Sequence, residues 1–215
     1  MKKIVIFVFI LVLGFAAYAD QYMGFGGAAG FTSTKFENSG SNYSIDLTTG
    51  AFNFCGIYGQ DFYFFTDMNL GFPLSGSISE NNQKTPLDFK NYSMSLVLDV
   101  IMGIGSFIPV LKEMPLFIGG GLHYFSLMLM GNYDYDVSSL SMMVIGAGAT
   151  CGILIPISRS TSVRIALNAA YDFYNFIPTF VEDFTNSISI FPSIDLMMQI
   201  NNPAGQSNYN SFGGR

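Results

Sequence analysis

The sequence predicts an all-β protein, an eight-stranded antiparallel up-and-down β-barrel that spans a membrane. Its composition is unusual for a soluble domain, because half of its 215 residues are hydrophobic and only 11% are charged, with 23 Gly, 22 Phe and 12 Tyr. Soluble proteins carry about 25% charged residues. Polar and apolar residues alternate with a period of two, and the connections between the predicted strands are alternately short and long. Both patterns are typical of transmembrane barrels.

The N-terminus predicts export. Two lysines at positions 2 and 3 precede an apolar stretch over positions 4–17, and Ala17-Tyr18-Ala19 supplies the small residues that signal peptidase recognises. The apolar stretch is shorter than the roughly 20 residues that a membrane-spanning helix needs. Residues 1–19 are therefore expected to be a cleaved signal peptide, which leaves Asp20 as the first residue of the mature chain.

The charge of the mature chain excludes one class of partner. Without Lys2 and Lys3, 9 − 2 = 7 basic residues face 15 acidic ones, a net charge of −8. Nucleic-acid binding needs clustered Lys and Arg and is not expected. Beyond the signal peptide, no stretch of about 20 residues is uniformly apolar, so a helical membrane protein is disfavoured.

The alternation can be followed along several segments. From Asp61 to Phe72 both aspartates occupy odd-numbered positions. From Ser187 to Leu196 every serine and the aspartate also occupy odd-numbered positions, so the polar residues of each segment share one parity. Residues two apart lie on one face of a strand but not of a helix. The segment 163–173 is ambiguous by itself, because its polar residues Arg164, Asn168 and Asp172 are four apart, as on a helix. The neighbouring segments favour a strand.

This pattern predicts eight strands and a barrel over residues 20–200, followed by a polar tail over 201–215 that is expected to be disordered. The approximate strand bounds are 22–35, 47–58, 61–77, 90–108, 116–130, 140–157, 161–177 and 187–200. Connections after the second, fourth and sixth strands are short, and the others are longer and polar. An even number of strands places both ends of the barrel on the periplasmic side.

In strand number, loop asymmetry and glycine-rich segments such as 24–27 and 146–148, the chain resembles the small eight-stranded outer-membrane proteins. These include the OmpX-like family, the OmpA transmembrane domain and the OmpW-like barrels. The resemblance implies a bacterial outer-membrane location. Two features depart from it: the tail after the last strand, and Pro192 inside that strand, where the missing N–H costs a ladder bond unless a bulge absorbs it.

Polar residues of the inward parity are the candidate lumen-lining residues. They are Asp67, Asp99, His123, Arg164, Asn168, Asp172 and Asp195. An ion pair between Arg164 and Asp195 is expected across the last two strands. His123 lacks a metal partner at a recognisable spacing, and no catalytic motif is present, so neither a cofactor, a metal nor an enzymatic activity is expected.

Acidic residues gather in the predicted outer loops, notably at Asp134, Asp136, Glu182 and Asp183. Glu37, Asp46, Glu80 and Asp88 are placed there as well. A solvated surface is one interpretation, and divalent-cation binding at the rim is another. Asp134 and Asp136 have the spacing that begins a calcium loop, although its Gly and closing Glu are missing.

Three functions are compatible with these features. A structural or surface-interaction role, in which the loops meet extracellular or envelope ligands and the wall meets outer-membrane lipid, is favoured. A narrow channel for small solutes, apolar ones included, is suggested by inward Val97, Ile101 and Leu127, although eight strands leave an interior that side chains fill. An outer-membrane enzyme is the third. Cys55 and Cys151 fall on opposite walls and opposite parities, so both thiols are expected to be free.

Overall fold

The structure is a computed structural model that describes residues 21–59, 62–108, 114–131, 139–158, 160–175 and 183–201. The predicted signal peptide and nearly all of the predicted tail lie outside these residues. Three of the four acidic loop residues, Asp134, Asp136 and Glu182, lie outside them too.

Eight long strands form a closed antiparallel barrel, which confirms the predicted fold. They are β1 (Gln21–Asn38), β2 (Ser41–Gly59), β3 (Phe62–Glu80), β5 (Tyr92–Ile108), β6 (Leu116–Gly131), β7 (Leu140–Pro156), β8 (Thr161–Asn175) and β9 (Asp183–Asn201), with a short β4 (Gln83–Pro86) and a 3₁₀ turn (Phe89–Asn91) after β3. Each long strand pairs with the next, and β9 pairs with β1. No helix among the described residues is long and apolar enough to cross a membrane.

The strands are strongly staggered around the barrel. Starting at Gly24 on β1, one can move to its partner on β2, then to that residue's partner on β3, and so on around the barrel. This path returns to β1 at Thr34, ten residues further along the strand. A closed barrel with such a stagger has strands tilted by roughly 35–45° to its axis. Residues far apart in sequence are thereby brought to the same height inside the barrel.

Side chains alternate between the interior and the outer wall as the sequence predicts. Segment 163–173 is strand β8: Arg164, Asn168 and Asp172 are buried, whereas Leu167 and Phe173 are 45% and 61% exposed. Residues four apart on a strand also share a face, which explains the helix-like spacing. The exposed apolar side chains form the surface that a bilayer would cover.

The first predicted outer loop is instead a tight hairpin, and the longer connection after β3 begins with one. β1 and β2 are joined by Ser39 and Gly40, and β3 and β4 by Asn81 and Asn82, all four with positive φ. Two-residue turns of this kind match the twist of the strands they join. Three acidic residues assigned to loops from the sequence therefore lie in strands: Glu37, Asp46 and Glu80.

We call the end of the barrel with these hairpins the hairpin end, and the opposite end, where β1 begins and β9 ends, the turn end. Asp183, also expected in a loop, is the first residue of β9 at the hairpin end and pairs with Glu37. Strands that project beyond the apolar band carry polar residues on both faces. The period of two is lost there, and the sequence pattern underestimates strand length.

The wall is interrupted near the hairpin end between β3 and β5. Their pairing ends at Gly71 and Val97. Pro73 lies two residues beyond Gly71 and has no N–H to donate to a neighbouring strand, and the β2–β3 register shifts beside it. Beyond this point β3 pairs with β4, and the Leu87 N–H donates to the Gly76 carbonyl at 2.9 Å.

Pro192 has a smaller effect than a bulge. It pairs with Leu167 on β8 without a register shift. On the β1 side the ladder is interrupted between the pairs Ala28–Ser193 and Phe31–Ile190, and the register is the same on both sides of the gap. The missing N–H therefore removes local hydrogen bonds of the ladder, but no extra residue is inserted into the strand.

Candidate functional site

The barrel interior is layered, with a polar belt between two apolar clusters. The cluster at the turn end consists of Cys55, Ile57, Tyr63, Phe65, Ile101, Phe117, Leu154, Ala166 and Met197. The cluster toward the hairpin end consists of Ile45, Leu47, Val97, Phe125, Leu127, Leu129, Met142 and Val144. Polar side chains in such a position are cut off from water and depend on each other for hydrogen bonds.

The structure places all seven sequence-predicted lumen residues in this belt. Asp67, Asp99, His123, Arg164, Asn168, Asp172 and Asp195 are each at most 2% exposed, and they project from β3, β5, β6, β8 and β9. Six of the seven are joined by hydrogen bonds. Asn168 is the exception, because its amide nitrogen and oxygen contact no hydrogen-bond partner among the described residues.

Arg164 is bracketed by two carboxylates. Its Nη1 donates to Asp195 Oδ2 at 2.8 Å and to Asp67 Oδ1 at 3.1 Å, and its Nη2 donates to Asp67 Oδ2 and to Thr150 Oγ1. The guanidinium carbon lies 5.0 Å from the centre of the Phe117 ring. Arg164 and Asp195 are direct register partners, so the predicted ion pair is confirmed. Asp67 accepts hydrogen bonds from both terminal nitrogens of the guanidinium, and the sequence does not predict it as a partner.

His123 is bracketed in the same way. Its Nδ1 lies 2.6 Å from Asp172 Oδ1 and its Nε2 lies 2.7 Å from Asp99 Oδ2. Each of these two contacts needs one proton between nitrogen and oxygen. The three groups are therefore either an imidazolium between two carboxylates or a neutral imidazole with one protonated carboxyl. Their net charge is −1 in both cases.

Two asparagines connect these groups into one network. Asn69 Nδ2 donates to Asp99 Oδ1 at 3.0 Å. Asn53 Nδ2 donates to Asn69 Oδ1 at 2.7 Å and to Asp67 Oδ1 at 2.9 Å. Parity places both asparagines on the inner face, but nothing in the sequence distinguishes them from other inward polar residues. The network runs from Asp172 across the barrel to Asp195.

Glycines on the inner face accommodate large side chains from other strands. A Cβ on Gly119 would lie 2.5 Å from the Phe65 ring, and one on Gly148 would lie 3.0 Å from the Ile101 side chain. Phe191 occupies the equivalent space over Gly30. The glycines leave space in the lumen that bulky residues fill, which closes the interior.

Neither cysteine is in a disulfide, as predicted. Cys55 is buried, with its Sγ 3.1 Å from Met197 Sδ, and Cys151 is exposed on the outer wall. Within the described ranges, no group of three or more His, Cys, Asp or Glu residues could hold a metal ion.

Half-buried apolar residues at the hairpin end pack against the inner apolar cluster. We call them the rim cluster: Phe36, Ile78, Leu87, Phe89, Tyr92, Leu140 and Phe184. Tyr43 stacks on Phe36 at 5.4 Å and donates to Glu80 Oε1 at 2.8 Å. This hydrogen bond raises the pKa of Tyr43.

Searches by sequence find no matching family model and no matching curated protein. Solved structures do match. Neisserial surface protein A has a TM-score of 0.56 at 12% identity, covering 84% of this chain and 97% of that one. The outer membrane protein OprG from Pseudomonas aeruginosa has a TM-score of 0.59 at 9% identity, covering 86% and 97%. The outer membrane protein AlkL, solved in lipid bilayers, has a TM-score of 0.53 at 12% identity, covering 87% and 93%.

These similarities establish the fold. The chain has the fold of the small eight-stranded bacterial outer-membrane β-barrels. At these identities the likeness concerns the fold alone, and its structural neighbours are outer-membrane barrels.

Proposed function

We propose that this protein is an exported outer-membrane barrel that binds an apolar partner at its hairpin end, which faces the outside of the cell. The observation that carries the proposal is the combination of a filled interior with a half-buried apolar rim. Export would remove residues 1–19. An intact mass of the envelope protein that begins at Asp20 supports this step, and a mass that includes Lys2 and Lys3 contradicts it.

The filled interior argues against conduction of ions. The described lumen residues of the belt are at most 2% exposed, and Phe65 and Phe117 cover the network toward the turn end, each 2% exposed. Eight-stranded barrels are narrow enough for side chains to occupy the whole cross-section. The filled interior therefore supports a role at the surface rather than along the axis.

The rim cluster supplies a surface suited to binding. Clustered, partly exposed apolar side chains on a protein surface mark sites of interaction. Its aromatic members, Phe36, Phe89, Tyr92 and Phe184, come from four separate segments and pack against one apolar cluster. Such a rim fits an apolar or aromatic group, either free or on a larger surface partner. Whether Asp134, Asp136, Glu182 and Asp183 add a divalent cation there is a separate proposal that calcium titration would test.

The absence of Trp from the sequence gives a direct assay. Leu140→Trp would place a single indole at the rim, and Met198→Trp would place one on the outer wall near the turn end, where Met198 is 43% exposed. In liposomes, an aromatic hydrocarbon should shift the emission of the rim probe saturably at concentrations that leave the wall probe unchanged. Equal, non-saturating responses of both probes would mean that the hydrocarbon only partitions into lipid.

A second candidate is the passage of small apolar solutes through the wall, favoured by the interruption between β3 and β5 after Gly71 and Val97. Pro73→Thr would restore an N–H and allow pairing to continue. If solutes cross here, this variant should lower their uptake into liposomes relative to the unaltered protein, while neither protein gives current steps in planar bilayers. Unchanged uptake in Pro73→Thr would refute passage at this point.

A further inference from the structure

The buried network carries more negative than positive groups. Each basic group lies between two aspartates, Arg164 between Asp67 and Asp195, and His123 between Asp99 and Asp172. With Asp67 and Asp195 both ionised, the Arg164 site has a net charge of −1. An uncompensated charge in the interior is costly, so a buried site of this kind gains from one additional positive charge.

The hydrogen bonds of the two aspartates on Arg164 are not equivalent. Both oxygens of Asp67 accept hydrogen bonds, from Arg164 and from Asn53. Asp195 Oδ2 accepts from Arg164 and from Ser193 at 3.0 Å, whereas Asp195 Oδ1 has no partner among the described residues. Asp195 is 1% exposed, so this oxygen is separated from solvent.

A second unpartnered oxygen is present on the neighbouring wall. Asn53 Oδ1 also lacks a partner in the described part of the chain, and Asn53 is 1% exposed. Gly26 pairs with Asn53 on one side and with Asp195 on the other. Gly26 has no side chain, and β9 packs closely over it: a Cβ there would lie 1.9 Å from the Ile194 carbonyl oxygen and 2.6 Å from Asp195 Oδ1. Gly26 is therefore flanked, on its two neighbouring strands, by two buried oxygen acceptors.

We propose that Asn53 Oδ1 and Asp195 Oδ1, on the strands either side of Gly26, form a site for one monovalent positive charge. The charge is either a proton, carried on Asp195 Oδ1 and donated to Asn53 Oδ1, or an alkali-metal ion that both oxygens bind. Either occupant satisfies two buried acceptors and neutralises the Arg164 site.

The surrounding groups limit the charge that the site can hold. The titratable or charged groups that face Asp195 are Arg164 from β8, Asp67 from β3 and Cys55 from β2. β1 contributes only the small residues Gly24 and Gly26 at this height. The Cys55 thiol is engaged with Met197. The Arg164 guanidinium repels a second positive charge, which disfavours divalent ions.

A matched pair of variants tests the site in the refolded full-length barrel. In Asp195→Asn the amide can donate to Asn53 Oδ1, so the variant reproduces the neutral state. Asp67→Asn removes a carboxylate whose oxygens are already satisfied. We expect Asp195→Asn to keep the urea midpoint of the unaltered protein in liposomes and Asp67→Asn to lower it. A midpoint lowered equally by both substitutions would overturn the proposal.

Two measurements on the unaltered protein distinguish the occupants. A proton gives a carbonyl stretch of a protonated carboxyl in the infrared spectrum that Asp195→Asn removes. An alkali-metal ion gives a urea midpoint that is higher in sodium or potassium chloride than in choline chloride, and Asn53→Leu removes this difference. Either result supports the site. If Asp195 titrates as an ionised carboxylate and the midpoint is the same in all three salts, no such site exists.

Discussion

Removing the charge of Arg164 should destabilise the barrel by several kcal/mol. Arg164 is the largest of the fully buried side chains, and its guanidinium donates to Asp67, Asp195 and Thr150. Arg164→Met keeps a long apolar side chain but leaves two aspartates facing each other without their cation. Breaking a buried ion pair by removing one partner costs about 3–5 kcal/mol. We expect a loss of this size in the free energy of unfolding.

The cost should fall when the carboxylate is neutralised too. In the double variant Arg164→Met with Asp67→Asn, one of the two carboxylates that Arg164→Met leaves without a cation is neutral, so the two substitutions should be less than additive. Residues in one network are coupled by about 0.5–3 kcal/mol. Urea unfolding in liposomes, followed by tyrosine fluorescence, measures both single variants and the double. Additive effects would refute the argument that Arg164 and Asp67 stabilise each other.

A surface pair provides the control for this cycle. Lys84 Nζ lies 3.8 Å from Asp46 Oδ2, and the Lys84 side chain is 64% exposed. Exposed pairs contribute about 0–1 kcal/mol. Lys84→Met should therefore leave the urea midpoint nearly unchanged. A loss as large as that of Arg164→Met would mean that burial is not the source of the effect.

Three further predictions concern other parts of the barrel. Gly119→Ala should cost about 1–3 kcal/mol in urea unfolding, because the new Cβ overlaps the buried Phe65 ring, whereas Gly120→Ala on the outer wall should be nearly neutral. A lipid-soluble maleimide should label Cys151 in the folded protein and leave Cys55 unlabelled until the protein unfolds. A mass, measured without reduction, that is lower by two hydrogen atoms would show a disulfide and contradict free thiols. Tyr43 should ionise at higher pH than an exposed tyrosine, so that its contact with Glu80 is intact below the ordinary tyrosine pKa and is lost as pH rises through the raised one. Absorbance titration of Tyr43→Phe should lack that late step, and an unchanged titration would refute it.

The alternation of polar and apolar residues was sufficient to predict the strands and the direction of their side chains. The prediction succeeds because the lipid-facing side chains of a spanning strand are apolar and alternate with side chains that face the lumen. Where strands rise above the apolar band this constraint disappears. The sequence therefore predicts loops near Glu37 and Glu80, where the structure has hairpins at Ser39-Gly40 and Asn81-Asn82.

The partners of the lumen residues could not be predicted in the same way. Arg164 and Asp195 lie on consecutive strands, where an antiparallel register can be estimated from the sequence. Asp67 reaches Arg164 from β3, across the barrel from β8. That contact depends on the stagger of all the strands, which accumulates to ten residues around the barrel. No local sequence pattern determines this accumulated stagger.

The layered interior also explains why the polar belt is a network rather than a set of separate residues. Apolar clusters cover it on both sides, so its charges cannot be hydrated from either end of the barrel. Under these conditions each donor needs a protein acceptor, and Asn53 and Asn69 provide the bridges between the two bracketed basic groups. A partly satisfied buried network is less stable than a complete one. Asn53 Oδ1 and Asp195 Oδ1, which lie on either side of Gly26 and are unpaired among the described residues, are therefore positions at which the stability of this barrel should respond to protons or small cations.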